Sequence, residues 1–185
     1  DEQKAYARIG QTWGKPTLGY VKSGGERVMV SFLPGGYDAC YEDPQFKLGN
    51  SANSESCTDK SKAQGNAMYM VQMGKVQIDE DTNEETIKTS TDSGKLLWWA
   101  SNQDSSANNT SRSTSLQYSR ATDLKHSIVT QVRAIDRNYD GLTDSIYFAD
   151  LGGQVWRADI NNNTATVNFK VDRVVKVLDV SDQAT

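Results

Sequence analysis

Residues 144–160 read Asp-Ser-Ile-Tyr-Phe-Ala-Asp-Leu-Gly-Gly-Gln-Val-Trp-Arg-Ala-Asp-Ile, two runs rich in β-branched and aromatic residues on either side of Gly152-Gly153. Such runs favour strands, and a Gly-Gly pair supplies the positive φ that a tight hairpin turn requires. The spacing predicts strands over 144–151 and 154–160, flanked by further strands over 127–136 and 173–180. A second set is expected upstream over 17–22, 27–33, 67–73 and 95–100, each run bounded by Gly or polar residues. Arg27-Val-Met-Val-Ser-Phe corresponds in role to Ser145-Ile-Tyr-Phe-Ala-Asp, and Asn66-Ala-Met-Tyr-Met-Val to Gly153-Gln-Val-Trp-Arg-Ala.

A four-stranded unit that repeats points to an all-β chain built from β-propeller blades. The first blade, with its insertions, is expected over 11–100 and the second over 123–180. A closed ring needs about four to eight blades, because each sheet must bury both of its faces against neighbours. Two blades leave the ring open, so the expectation is a partial propeller completed by sequence outside this chain or by another chain. The chain begins at Asp1 with neither a methionine nor an apolar leader, which reads as a processed protein or a piece of a longer one.

Just before the deciding hairpin lies Asp136-Arg-Asn-Tyr-Asp-Gly-Leu-Thr-Asp144. Oxygen-bearing side chains fall at loop positions 1, 3, 5 and 9, with glycine at position 6. Ca²⁺ takes about six to eight hard oxygen ligands, and a short loop presents them when alternate residues turn inward around a sharp glycine turn. Asp136, Asn138, Asp140 and Asp144 are the candidate side-chain ligands, and Leu142 the candidate carbonyl. An EF-hand would continue to a bidentate Glu at position 12, but Tyr147 stands there and the sequence runs into a strand rather than a helix. Water or a more distant oxygen must complete the shell. Asp, Asn and Gly also populate plain hairpin turns. Crowding three mutually repelling carboxylates into nine residues gains a plain turn nothing, which favours the cation.

Composition excludes several classes. The 185 residues suffice for a domain-sized core, and 36% hydrophobic content with abundant Ser, Asn, Asp and Thr predicts long polar loops. A formal net charge of −4, with basic residues scattered among acids, offers no broad surface for nucleic-acid phosphates. No apolar run approaches the roughly 18–20 residues that span a bilayer. Cys40 and Cys57 lie in a polar stretch without a metal-ligand partner set, so a disulfide and an oxidising compartment are expected. Three insertions interrupt the strands, at 35–65, 79–93 and 101–122. The last is read as too polar to pack, and its Asn-x-Ser/Thr matches at Asn108 and Asn109 would bear sugars only in a eukaryotic secretory route.

Residues 132–160 together closely resemble the calcium-binding blade of the PilY-type pilus-tip proteins of bacterial type IV pili. The match joins the calcium loop, Tyr147-x-x-Asp-Leu-Gly-Gly and Trp156-Arg-x-Asp. Thr12-Trp-Gly-Lys-Pro-Thr-Leu-Gly, the segment 32–37 and Asn66-Ala-Met-Tyr-Met-Val resemble that family's preceding blade. Family members often carry Gly where Tyr139 stands, which removes no ligand. The resemblance implies a C-terminal propeller of an extracellular, outer-membrane-surface or pilus-tip protein. It also implies partners among the pilins or minor pilins, and calcium occupancy that biases pilus extension against retraction, with links to adhesion, twitching motility or competence. Contact with a host or abiotic surface would fall to regions outside this chain.

Other readings are weaker. Trp13, Trp98, Trp99 and Trp156 could form a ligand platform, but strand-borne Trp in propellers chiefly fills space between blades. His126 has no identifiable nucleophile beside it and reads as solvated or capping. Asp79, Glu80, Asp81, Glu84 and Glu85 read as an exposed hairpin tip, with no glycine to fix their spacing. A quinoprotein-like or polysaccharide-acting enzyme propeller would need a cofactor motif or catalytic constellation that the sequence does not offer. An integrin-type adhesion propeller uses similar calcium spacing but lacks the Gly-Gly-Gln-Val-Trp-Arg continuation.

Overall fold

The computed structural model describes residues 2–39, 42, 63–103, 110–111, 115–163 and 165–180. The architecture is all-β apart from one short helix, α1 (Glu2–Tyr6). Strands β1 (Thr17–Ser23), β2 (Glu26–Pro34) and β3 (Ala67–Ile78) form an antiparallel meander. β3 continues outward into a hairpin with β4 (Glu85–Lys88), while its first half pairs with β5 (Leu96–Ser101). β6 (Gln117–Arg120) completes this sheet, parallel to β5. The second sheet is a pure antiparallel meander of β7 (Arg133–Ile135), β8 (Ser145–Ala149), β9 (Gln154–Asn161) and β10 (Lys170–Asp179).

The two sheets share one core. Val21, Val30, Phe32, Met70 and Trp98 of the first meet Ile146, Phe148, Trp156, Ala158 and Val171 of the second in a single buried cluster. Strand β9 shows why its sequence specifies this. Gln154, Trp156, Ala158 and Ile160 are buried, and the intervening residues are half-exposed, the period of two that a one-sided sheet imposes. Every residue of β5, Leu-Leu-Trp-Trp-Ala-Ser, is buried because both faces of its sheet are covered there. On the far side, Ala5 joins Tyr69, Leu96 and Trp99, and the Tyr69 hydroxyl donates to the Ala5 carbonyl at 2.7 Å.

Both sheets are open, and among the described residues no ring closes. β2 and β8 are the second strands of their meanders, and β3 and β9 the third, but the first sheet carries six strands and a parallel β5–β6 pair where four antiparallel strands were expected. Among the described residues no helix is long and apolar enough to cross a membrane.

Three expectations are corrected. The strand expected over 127–136 shrinks to Arg133–Ile135, because the backbone before it bonds elsewhere: Ile128 N to Gly65 O, Gly36 N to Ile128 O and Leu151 N to Ser127 O. Thr130 replaces strand pairing with its hydroxyl, which meets both backbone groups of Ala149. The end of the 101–122 insertion packs despite its polarity. Trp98 Nε1 donates to Ser119 Oγ at 2.9 Å, Tyr118 packs on Trp99 with centroids 4.4 Å apart, and buried Gln117 bridges to Phe169, just before β10, and to Val171 of β10. Finally, Trp98, Trp99 and Trp156 are core residues as expected, but Trp13 is 72% exposed, stacked on Tyr37 in a loop rather than borne on a strand. Cys40, Cys57, Asn108 and Asn109 lie outside the described residues.

Candidate metal loop

The loop 136–144 leaves β7 and enters β8, which fixes both its ends on one hairpin. Its Asx side chains fold inward onto the loop's own amides. Asp136 accepts from Tyr139 N at 2.7 Å and Gly141 N at 2.9 Å, Asn138 from Asp140 N at 3.2 Å, and Asp140 from Leu142 N at 2.8 Å. Asp144 accepts from Arg137 N at 2.6 Å, and Asn138 Nδ2 donates to Asp140 at 3.0 Å. Two residues make the coil possible by adopting left-handed backbone, Gly141 at φ 81° and Tyr139 at φ 61°. The first costs nothing and the second is strained, since a Cβ disfavours that region.

Asp136, Asn138, Asp140 and Asp144 thus all belong to one small loop, and Leu142 sits between the last two carboxylates. As placed, the carboxylates cap amides rather than converge. Among the described residues, no three or more His, Cys, Asp and Glu side chains form a group that could hold a metal ion. The donor chemistry nevertheless suits a hard cation. All four side chains offer oxygen, and each carboxylate retains free lone pairs after accepting one or two amides.

Asp140 and Asp144 face a cleft of about 670 Å³ between the loop and the β9–β10 turn. The acids across the cleft are already committed. Asp159 loses some of its ease of ionisation to burial, but Arg173 and Arg157 outweigh this and hold its carboxyl below the usual range. Asp172 is paired with Lys170 at 3.1 Å and accepts from Asn161 at 2.9 Å. The cleft has room for water.

Sequence reasoning missed the residues that hold this region. Asp150 is buried and triply engaged, by Gly152 N at 3.0 Å, Gln154 N at 3.1 Å and Trp156 Nε1 at 2.8 Å. An Asp opening a Gly-Gly turn is a readable signal for such capping. Thr143 and Asn162 join the loop to β1, and nothing in their local sequence announces that. His126 lies against Gly152, where an added Cβ would come within 2.3 Å of its ring, and faces Glu42 at 3.4 Å.

No protein-family model matches the sequence, and no curated protein matches it. Among solved structures, the crystal structure of the Pseudomonas aeruginosa PilY1 C-terminal domain is similar over 92% of this chain, with 16% identity and a TM-score of 0.37. The chain spans 25% of that structure. A likeness at that identity and score assigns neither fold nor function.

Proposed function

We propose that residues 136–144 bind one Ca²⁺ through Asp136, Asn138, Asp140, the Leu142 carbonyl and Asp144. The observation that carries this is the inward coil of four oxygen-bearing side chains around Gly141, on a loop pinned at both ends by one hairpin. Bound there, the ion would neutralise three carboxylates and lock the loop closed. The chain's own part is to hold the donors in register, with amides that already orient each carboxylate, and to leave an open cleft for water.

The resemblance of residues 132–160 extends the proposal. The two meanders are blades of a propeller completed outside this chain, in an extracellular type IV pilus tip-associated protein that meets pilins or minor pilins. The loop's two states, loose and closed, would bias pilus extension against retraction. No catalytic role is assigned. A Cys40–Cys57 disulfide belongs to the same proposal, and reduction should raise the intact mass by about two hydrogens.

Calorimetry is expected to give one site per chain and no saturable heat for Asp140→Ala. Unchanged affinity in that variant overturns the metal reading. Placed in the full-length protein in its host, Asp140→Ala is expected to change surface piliation or twitching. Normal pili and motility overturn the pilus reading and leave the metal site standing.

A further inference from the structure

The calcium loop does not end on its own sheet. Thr143, between candidate ligands Leu142 and Asp144, donates its amide to the Tyr20 carbonyl of β1 at 2.7 Å, and its hydroxyl accepts from Tyr20 N at 3.3 Å. Two bonds to one residue reproduce a strand-pair contact, made here with the edge strand of the other sheet. Asn162 adds a second stitch. Its Nδ2 donates to the Thr143 carbonyl at 2.8 Å, and its Oδ1 accepts from Lys22 N at 3.0 Å. Thr143 and Asn162 are 4% and 8% exposed, so these bonds are made away from competing water.

The approach is so close that only glycine fits opposite. A Cβ at Gly19 would lie 2.5 Å from Thr143 Oγ1 and 2.9 Å from the Phe32 ring. Gly19 has no positive φ that would call for glycine. Room for the loop is the remaining reason.

We infer that Thr143 and Asn162 are positioning residues for the calcium loop, which couple its affinity to the order of the β1 edge in the other sheet. The inference rests on the proposed metal reading. Fixing loop position 8 on a sheet fixes the direction of the donors at positions 7 and 9, and donors ordered in advance lose less entropy on binding. Coupling between two sites is reciprocal. The factor by which the β1 stitch raises cation affinity is therefore the factor by which the cation favours the closed stitch. The amides of Tyr20 and Lys22, which point away from β2 toward Thr143 and Asn162 respectively, report that state. Val21, whose amide faces β2 by alternation, is the internal control.

The test combines amide exchange with calcium calorimetry on the whole chain. In wild type, calcium is expected to slow exchange at Tyr20 and Lys22 several-fold while leaving Val21 unchanged. Thr143→Val and Asn162→Ala are expected to weaken calcium binding about tenfold, and Thr143→Ser to restore it, a rescue that loss of packing alone would not show. Calcium binding without any change at Tyr20 and Lys22, or with wild-type affinity in both variants, overturns the inference. If wild type binds no calcium, the metal reading fails by itself. The coupling is then decided by Asp136→Ala in metal-free buffer, which removes the loop's caps at Tyr139 N and Gly141 N. Faster exchange at Tyr20 and Lys22 supports the coupling, and unchanged exchange overturns it.

Discussion

Two acidic turns in this chain look alike in composition and differ in what they are attached to. The tip of the β3–β4 hairpin, 79–84, opens on Asp79, whose carboxylate accepts from Asp81 N at 3.0 Å and Thr82 N at 2.9 Å. The loop 136–144 opens on Asp136, which does the same for Tyr139 and Gly141. Each contains one non-glycine residue in left-handed backbone, Asn83 at φ 57° and Tyr139 at φ 61°. There the likeness stops. At the tip, residues 79–84 are all exposed, and the backbone bonds Asp79 N to Glu84 O and Asn83 N to Asp79 O close the hairpin on itself. In the loop, Asp140 and Asp144 also turn onto backbone amides, and the next residue along from Leu142 is stitched to another sheet. The number of acids is similar in both. Their spacing and anchorage make the difference.

The largest expected effect breaks the two turns apart by calcium response. A ligand at about 100 times its Kd stabilises the folded state by about 2.7 kcal/mol. Asp136→Ala is expected to abolish the calcium-induced rise in melting temperature, and Asp79→Ala to leave it intact. Scanning calorimetry of the two variants with and without calcium decides this. A response that survives Asp136→Ala, or disappears with Asp79→Ala, would mean that acid count rather than spacing governs binding.

The same comparison explains what could be read in advance. The hairpin around Gly152-Gly153 was legible because local chemistry and burial agree there: in β9, Trp156 and Ile160 point inward and Arg157 and Asp159 outward. The Asx spacing of 136–144 was legible because it is local, and the structure folds those side chains onto the loop's own amides. Strand β6 was not, because its Gln, Tyr and Ser are buried only by virtue of partners on β5 and β10, more than a dozen residues away in sequence. The 127–132 segment misled for the same reason. Ile128 and Val132 are buried, yet the backbone pairs with distant turns instead of β8. The pairing of Thr143 with Gly19 was not legible, since each is meaningful only beside the other.

A smaller effect separates the turns by backbone strain. A residue forced to positive φ costs roughly 1–2 kcal/mol when it carries an ordinary side chain, and Asn tolerates that region through its short polar arm. Tyr139 is 91% exposed, so its ring contributes little packing that glycine would remove. Tyr139→Gly is expected to raise stability by up to about 1 kcal/mol, offset partly by the greater freedom of glycine in the unfolded chain. Asn83→Gly is expected to be close to neutral. Denaturant titration of both variants checks the pair, and an equal effect at the two sites would show that strain does not distinguish them.

The smallest effect belongs to the tip alone. Hydrogen bonds from Thr82 N, then Asp81 N and the Thr82 side chain, hold the Asp79 carboxyl below its ordinary value. A carboxyl depressed on folding favours the folded turn at pH above its unfolded value of about 3.9, and that contribution fades as pH falls through the lower folded value. Because the group is fully exposed, the change should stay local. On acidification, amide protection at Asp81 and Thr82 is expected to fall, while β5, which carries no titrating side chain, keeps its own. Asp79→Asn retains an acceptor oxygen without the titrating charge, and should remove the pH dependence of those two amides. Exchange measured across acid pH would contradict this if the variant kept the wild-type profile. It would contradict the autonomy of the tip if Asp79→Asn changed the acid response of β5, since the hydrogen bonds that hold Asp79, Asp81 and Thr82 close on the hairpin itself.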